Sequence, residues 1–248
     1  MHPAVTRSWL GGRAGLLLVV LIGAAASLLL SQTADIGELV LHSEALERAQ
    51  SSDGSPRLTG RSSTVTAVLF TDYRCPACRS SDKALIQAVI KDGHVDLIVR
   101  PLTIFGLESE RAARVALAAD RQGRFLAMHR ELMSAAKIDD AGIARAAQRA
   151  DVNLVQLRAE LIRNRTSINE AIARNRLAAF GLGISGTPTY LIGRYRIIGA
   201  LSSSQLHQLF RQARADEPAE SGGSKIAGAQ VPLLWSPSPN TQPQRRPI

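Results

Sequence analysis

The chain has few cysteines and few aromatic residues: two Cys in 248 residues, and only 4% Phe, Trp and Tyr. Each scarcity excludes something. Two cysteines allow one intramolecular disulfide at most, so a scaffold stapled by several bridges is ruled out. A structural zinc site needs four ligands, and neither a second CxxC nor a paired histidine motif is present. The formal charge of +9 invites a nucleic-acid reading, but the arginines are spread along helical stretches and few aromatics accompany them. Dispersed basic charge of this kind fits a solvated surface facing anionic lipid or an acidic partner. No fixed-period repeat is visible, which excludes a solenoid. The hydrophobic content of 45% is enough for a real core in one or two domains.

What is present centres on the two cysteines, Cys75 and Cys78, separated by Pro76 and Ala77. A strand-like run, Thr64 to Thr71, leads through Asp72, Tyr73 and Arg74 into the motif, and a helical run, Arg79 to Lys91, follows it. Strand, short loop, CxxC, helix is the context in which the motif reads as redox chemistry. Proline in a first helical turn forfeits no hydrogen bond. Cysteines at this spacing lie on one helix face, close enough to bond. The first meets the helix N-terminus, where free N–H groups and the macrodipole favour a thiolate. Cys75 is therefore the expected nucleophile and Cys78 the shielded, resolving thiol. As a mere staple the bridge would achieve little, since closing so short a loop restricts the unfolded chain by only about 2 kcal/mol.

Ala14 to Leu30 is an uncharged run of 17 residues, which predicts an N-terminal signal anchor or signal peptide over 1–33. An uncleaved anchor is favoured, because cleavage after the small residues near Ala26 leaves Leu28-Leu29-Leu30 on the mature end. Arginines before the run and Asp35, Glu38 and Glu44 after it place the N-terminus inside and export the remainder. Residues 34–59 are set apart as a helical stalk or linker: apolar residues at helical spacing over 35–50, which fit a short helix packing on the domain or a stalk or oligomerisation helix, then a Ser/Gly/Pro-rich stretch over 51–62. His94 to Arg100 reads as a second strand ended by Pro101, giving a right-handed parallel βαβ unit. Five alanine- and arginine-rich helices over about 104–182 read as a helical insertion. Strands at Thr189–Ile192 and Tyr195–Ile198 and a helix at Ser202–Arg214 complete a mixed α/β sheet. The tail, 215–248, is Pro-rich and expected to be disordered; Leu233-Leu234-Trp235 is a weak docking motif within it.

The segments D-Y-R-C-P-A-C, E-S-E-R-A-A-R-V-A-L-A-A-D-R-Q-G-R-F and G-I-S-G-T-P-T-Y-L-I-G resemble the DsbA-type thiol–disulfide oxidoreductases of the thioredoxin superfamily, in their exported or membrane-anchored bacterial branch. The resemblance covers roughly residues 60–214. It implies a thioredoxin-like mixed sheet with an inserted helical domain. It also implies a cis Thr187-Pro188 bond facing the CxxC, with Pro188 aligning a client strand beside Cys75 and Thr187 offering backbone contacts and a hydroxyl. Pro76 and Ala77 depart from the family's more familiar dipeptides and would tune the potential. Asp72 reads either as a proton relay for Cys78 or as a strand-end cap, and Arg74 either faces the thiolate or faces water. His94 and His129 have no special spacing and read as core or surface residues.

The activity so implied is disulfide exchange in exported proteins, on the periplasmic side of the inner membrane if residues 14–33 anchor the chain, or soluble in the periplasm if they are cleaved. The redox disulfide itself serves in place of a cofactor. The expected partners are cysteine-containing exported proteins, a membrane redox partner and the membrane, but not nucleic acid. A reductase or isomerase of the same fold, or a non-catalytic peptide-binding or chaperone module, are the alternative readings.

Overall fold

The computed structural model describes residues 37–41, 43–51 and 53–216, together with the backbone of 234–236. In chain order these are β1 (Glu38–Leu39), α1 (Glu44–Gln50), β2 (Arg57–Thr59), β3 (Val65–Thr71), α2 (Pro76–Asp92) and β4 (Val95–Pro101). Five helices follow: α3 (Leu107–Asp120), α4 (Phe125–Ser134), α5 (Asp140–Arg149), α6 (Leu154–Arg163) and α7 (Arg165–Gly181). The chain then returns through β5 (Thr189–Ile192), β6 (Tyr195–Ile198) and α8 (Ser203–Ala215), and β7 (Leu234–Ser236) completes the set. The strands form one mixed sheet in the order β1-β6-β5-β3-β4-β2-β7. β3 and β4 are parallel, from Val65 opposite Val95 to Thr71 opposite Pro101, and α2 is their crossover. Every other pairing is antiparallel.

The central strands are apolar on both sides because both faces of the sheet are covered. Side chains alternate across a strand, and the burial follows that period. Val65, Ala67 and Leu69 of β3, Val95, Leu97 and Val99 of β4, and Tyr190 and Ile192 of β5 join the larger core with α2, α8 and the insertion. Val68, Phe70, Ile98 and Leu191 point the other way and meet Leu46 and Ala49 of α1 and Ala179 of α7. Within the insertion, α3 packs on α4 through a run of alanines, Ala112 to Ala119, against Phe125, Met128 and Leu132.

Local chemistry sets the helix ends. α8 carries a capping box between Ser202 and Gln205, and the Asp139 and Asn153 side chains cap α5 and α6. α2 stops at Gly93, which takes φ 73° while its N–H bonds to Val89. Only glycine suits that position, since a Cβ would also fall 2.5 Å from the Arg61 guanidinium.

Two expectations need correction. Residues 34–59 are not a stalk outside the domain: within them α1 buries Leu46 and Ala49, β1 pairs with β6 and β2 pairs with β4. The cause is Arg100, a fully buried arginine of β4. Its Nε donates to the Ala49 carbonyl at 2.8 Å. Its Nη2 donates to the carbonyls of Arg48 and Ser51, and both Nη atoms reach the Asp53 carboxylate. The guanidinium thus bonds to carbonyls at the end of α1 and ties that helix to the sheet. The second correction concerns the tail, where Leu234–Ser236 forms an edge strand on β2 rather than disordered chain. The expected anchor over 14–33 lies outside the described residues; among those described, no helix is long and apolar enough to cross a membrane.

Arg100→Met is expected to destabilise the domain by about 3 kcal/mol or more, because it leaves buried carbonyls and a carboxylate without their donor. Urea unfolding of the purified variant measures it.

Candidate active site

β3 ends at Thr71, and the chain turns through Asp72, Tyr73 and Arg74 into the helix that begins at Pro76. Cys75 is the N-cap of α2: its sulfur accepts the backbone N–H of Cys78 at 3.4 Å. A cap position normally filled by a serine or aspartate oxygen is thus held by sulfur, and an orphan helix donor points at it. The Cys75 thiol in turn donates to the Thr187 carbonyl at 3.1 Å. The Thr187-Pro188 bond is cis, so the loop before β5 presents that carbonyl to the CxxC. Pro76 is exposed, Ala77 and Thr187 are half-buried, and Pro188 is buried. The structure therefore brings Cys75, Cys78, Thr187 and Pro188 together at one end of the sheet.

Both thiols are free and both are nearly covered, Cys75 at 3% exposure and Cys78 at 1%. Cys78 lies one turn inside α2, with the Asp72 N–H directed at its sulfur at 3.5 Å. Burial pushes the Cys78 thiol up to about 12, against the pull of that N–H. Its proton therefore stays in place at neutral pH until a reaction step removes it.

Asp72 differs from the relay reading. Its carboxylate is buried and occupied: Oδ1 accepts from the Arg74 N–H at 2.7 Å and the Ser109 hydroxyl at 2.6 Å. Oδ2 accepts from the N–H groups of Ile104 and Phe105 at 2.8 and 3.2 Å. Four donors fill the acceptor sites of one carboxylate, and they come from the CxxC loop, the segment after β4 and α3. Asp72 holds the site's frame, and only its backbone touches Cys78. Arg74 turns away to pair with Glu108. Arg79 spans the base of the loop, donating to the carbonyls of Tyr73 and Ala135. Beside Pro76 lies a groove of about 910 Å³ whose walls include Arg74, Arg79, Met133, Lys137 and Ile138.

A model of the DSBA-like thioredoxin domain matches residues 66–211. The chain belongs to this family. The DSBA-like match contains the CxxC, the inserted helices and the cis proline loop. Three solved structures share the fold. A thioredoxin-like oxidoreductase from Silicibacter pomeroyi DSS-3 is 30% identical, with TM-score 0.64, over 68% of this chain and 97% of its own. A periplasmic thioredoxin-like protein from Salmonella enterica serovar Typhimurium is 31% identical, with TM-score 0.62, over 71% and 98%. The thiol-disulfide exchange protein alpha-DsbA2 from Wolbachia pipientis is 25% identical, with TM-score 0.64, over 68% and 91%. Among curated proteins the chain is 29% identical to the Na(+)/H(+) antiporter NhaA 3 of Salinispora tropica, over 75% of this chain and 28% of that protein. It spans about a quarter of the length of the curated relatives it matches.

Sequence reasoning missed His129. It is wholly buried, with Nε2 2.8 Å from Asp82 Oδ1 and Nδ1 3.0 Å from the Tyr73 hydroxyl. Asp82 stands four residues beyond Cys78 on the buried face of α2. A charged residue on that otherwise apolar face was the one signal in the sequence that something polar must meet it.

The raised Cys78 thiol carries a sign for stability. An unfolded thiol titrates near 9.0, the native one near 12, so between these values the native state holds the extra proton and stability falls as pH rises. Under reducing conditions, Cys78→Ala is expected to flatten that fall. Urea unfolding of parent and variant across pH 9–12 checks it, since the buried tyrosines titrate in both.

Proposed function

We propose that the chain catalyses thiol–disulfide exchange in exported proteins through the Cys75-Pro76-Ala77-Cys78 dithiol. The observation that carries this reading is the Cys75 sulfur placed between the first turn of α2 and the Thr187 carbonyl. In the oxidising direction a client thiolate attacks the Cys75 sulfur of the Cys75–Cys78 disulfide. The S–S bond breaks, its electron pair leaves on Cys78, and a mixed disulfide joins client to Cys75. A second client thiolate then attacks the client's sulfur, Cys75 departs as thiolate, and the client is left oxidised and the dithiol reduced. Two electrons and two protons reach the pair. A membrane redox partner returns the dithiol to the disulfide, and the redox-active cysteines need no organic cofactor or metal.

The asymmetry of the two thiols supports these roles. Cys75 caps the helix, with an N–H directed at it and a client-facing carbonyl beside it, which suits the attacked and attacking sulfur. Cys78 is deeper and holds its proton tightly, which suits a thiol that acts only once a mixed disulfide has formed. A client strand lying along Thr187 and Pro188 would have the 910 Å³ groove next to it, where Arg79 and Lys137 favour acidic neighbours of the client cysteine and Met133 and Ile138 favour apolar ones. The likeness to a periplasmic protein from Salmonella enterica supports placing the domain in the periplasm, where disulfides persist.

Cys75→Ala is expected to abolish both insulin reduction and oxidative refolding of a reduced client. Cys78→Ala is expected to retain the first attack and accumulate mixed disulfides through Cys75, visible on non-reducing gels and by mass. Absence of any trapped species with Cys78→Ala, while Cys75→Ala stays active, would reverse the assignment.

A further inference from the structure

The dithiol helix carries two adjacent buried polar residues just beyond Cys78. Ser81 bonds to the Tyr190 hydroxyl at 3.1 Å, on the strand that follows Pro188. Asp82, 6% exposed, bonds to His129 on α4. Through its other nitrogen His129 reaches Tyr73, two residues before Cys75, and its ring stacks on Phe125 with centroids 5.5 Å apart. One imidazole from the inserted helices thus spans the dithiol, touching the chain just before Cys75 and one turn after Cys78. With Nε2–H donating to the carboxylate, Nδ1 accepts from the tyrosine hydroxyl, and both ring nitrogens have a partner.

Stability alone does not call for this arrangement. A buried carboxylate–imidazole pair is costly to desolvate, and a well-packed apolar pair of similar volume serves the fold equally well. What the pair adds is a carboxylate held one helical turn beyond Cys78. On a helix, residues four apart are neighbours, so the Asp82 carboxylate sits beneath Cys78 in a water-poor interior where charge acts strongly. Its reach is visible on the two tyrosines: burial first, then Asp82, pushes the Tyr73 hydroxyl far up, and burial together with Cys78 and Asp82 raises that of Tyr190.

We propose that His129 is a positioning residue that holds Asp82 beneath Cys78, and that the pair, supplied jointly by α2 and the inserted helices, sets the thiol–disulfide equilibrium of the site. A fixed negative charge there opposes charge on either sulfur and so favours the disulfide over the dithiol. The inference rests on the exchange reading given above.

The test is the equilibrium of the full chain with oxidised and reduced glutathione, read as the fraction of dithiol by thiol alkylation and mass. Asp82→Leu combined with His129→Phe replaces the pair by apolar groups and is expected to unfold within a few degrees of the parent. Its equilibrium constant is expected to shift toward the dithiol by about tenfold, the effect of a single charge at this range. Asp82→Asn, isosteric and still able to meet Nε2, is expected to shift the same way and carries the test if the double variant does not fold. His129→Gln, which keeps a donor for Asp82, is expected to stay near the parent. Equilibrium constants within about twofold of the parent for both Asp82 variants would overturn the proposal. So would a shift in His129→Gln as large as theirs. If the parent itself fails to exchange with glutathione, the dithiol reading falls, and this inference with it; a parent that exchanges alongside unshifted Asp82 variants removes the inference alone.

Discussion

The Asp72 carboxylate is the constraint on which the rest of the site depends. It stands where β3 ends and gathers donors from two stretches that the sequence keeps apart: Arg74 beside it, and Ile104, Phe105 and Ser109 from beyond β4. Without an acceptor there, the turn into α2 and the segment after β4 would each lose the bond that holds their N–H groups to the strand end. With it, the two turns are locked together. The Asp72 N–H then faces the Cys78 sulfur and Cys75 falls on the helix cap. The placement of both thiols follows from that carboxylate.

Around that point the domain spends an unusual amount of buried polarity. Arg100 fastens α1 to one face of the sheet, while Ser81, Asp82, Tyr73, Tyr190 and His129 lie on the other face under the dithiol. Each group is partnered, which is the condition for such networks to give a single arrangement rather than several. The two sets differ in purpose. Arg100 replaces main-chain bonds that a short helix end lacks, so its role is structural. The network beneath α2 surrounds the reacting sulfurs and lies within reach of their charge.

Much of this was legible in the sequence. The strand–CxxC–helix pattern located the site, the apolar runs of β3 and β4 located the parallel pair, and the family resemblance implied that the Thr187-Pro188 loop faces Cys75. The five helices of the insertion were legible as alanine- and arginine-rich segments with apolar recurrence, while the caps Asp139 and Asn153 emerge only in the structure. The parts that were not legible share a cause: each depends on a partner far away in the chain. Arg100 looked like the end of a strand, yet it recruits residues 48–53 into the domain. Asp72 looked like a relay or a cap because its donors after β4 are N–H groups, which carry no side-chain signature. His129 had no motif spacing because its partners lie 47 and 56 residues upstream.

The strand formed by Leu234–Ser236 has a further consequence. β2 is only three residues long and would otherwise be the outermost strand on its side, with a row of unpaired backbone groups open to any extended chain. Extended polypeptides are the chains most ready to add themselves to such a border. By laying Leu234–Ser236 there, the molecule covers that border with its own backbone and leaves no open ladder on β2 for another chain to extend.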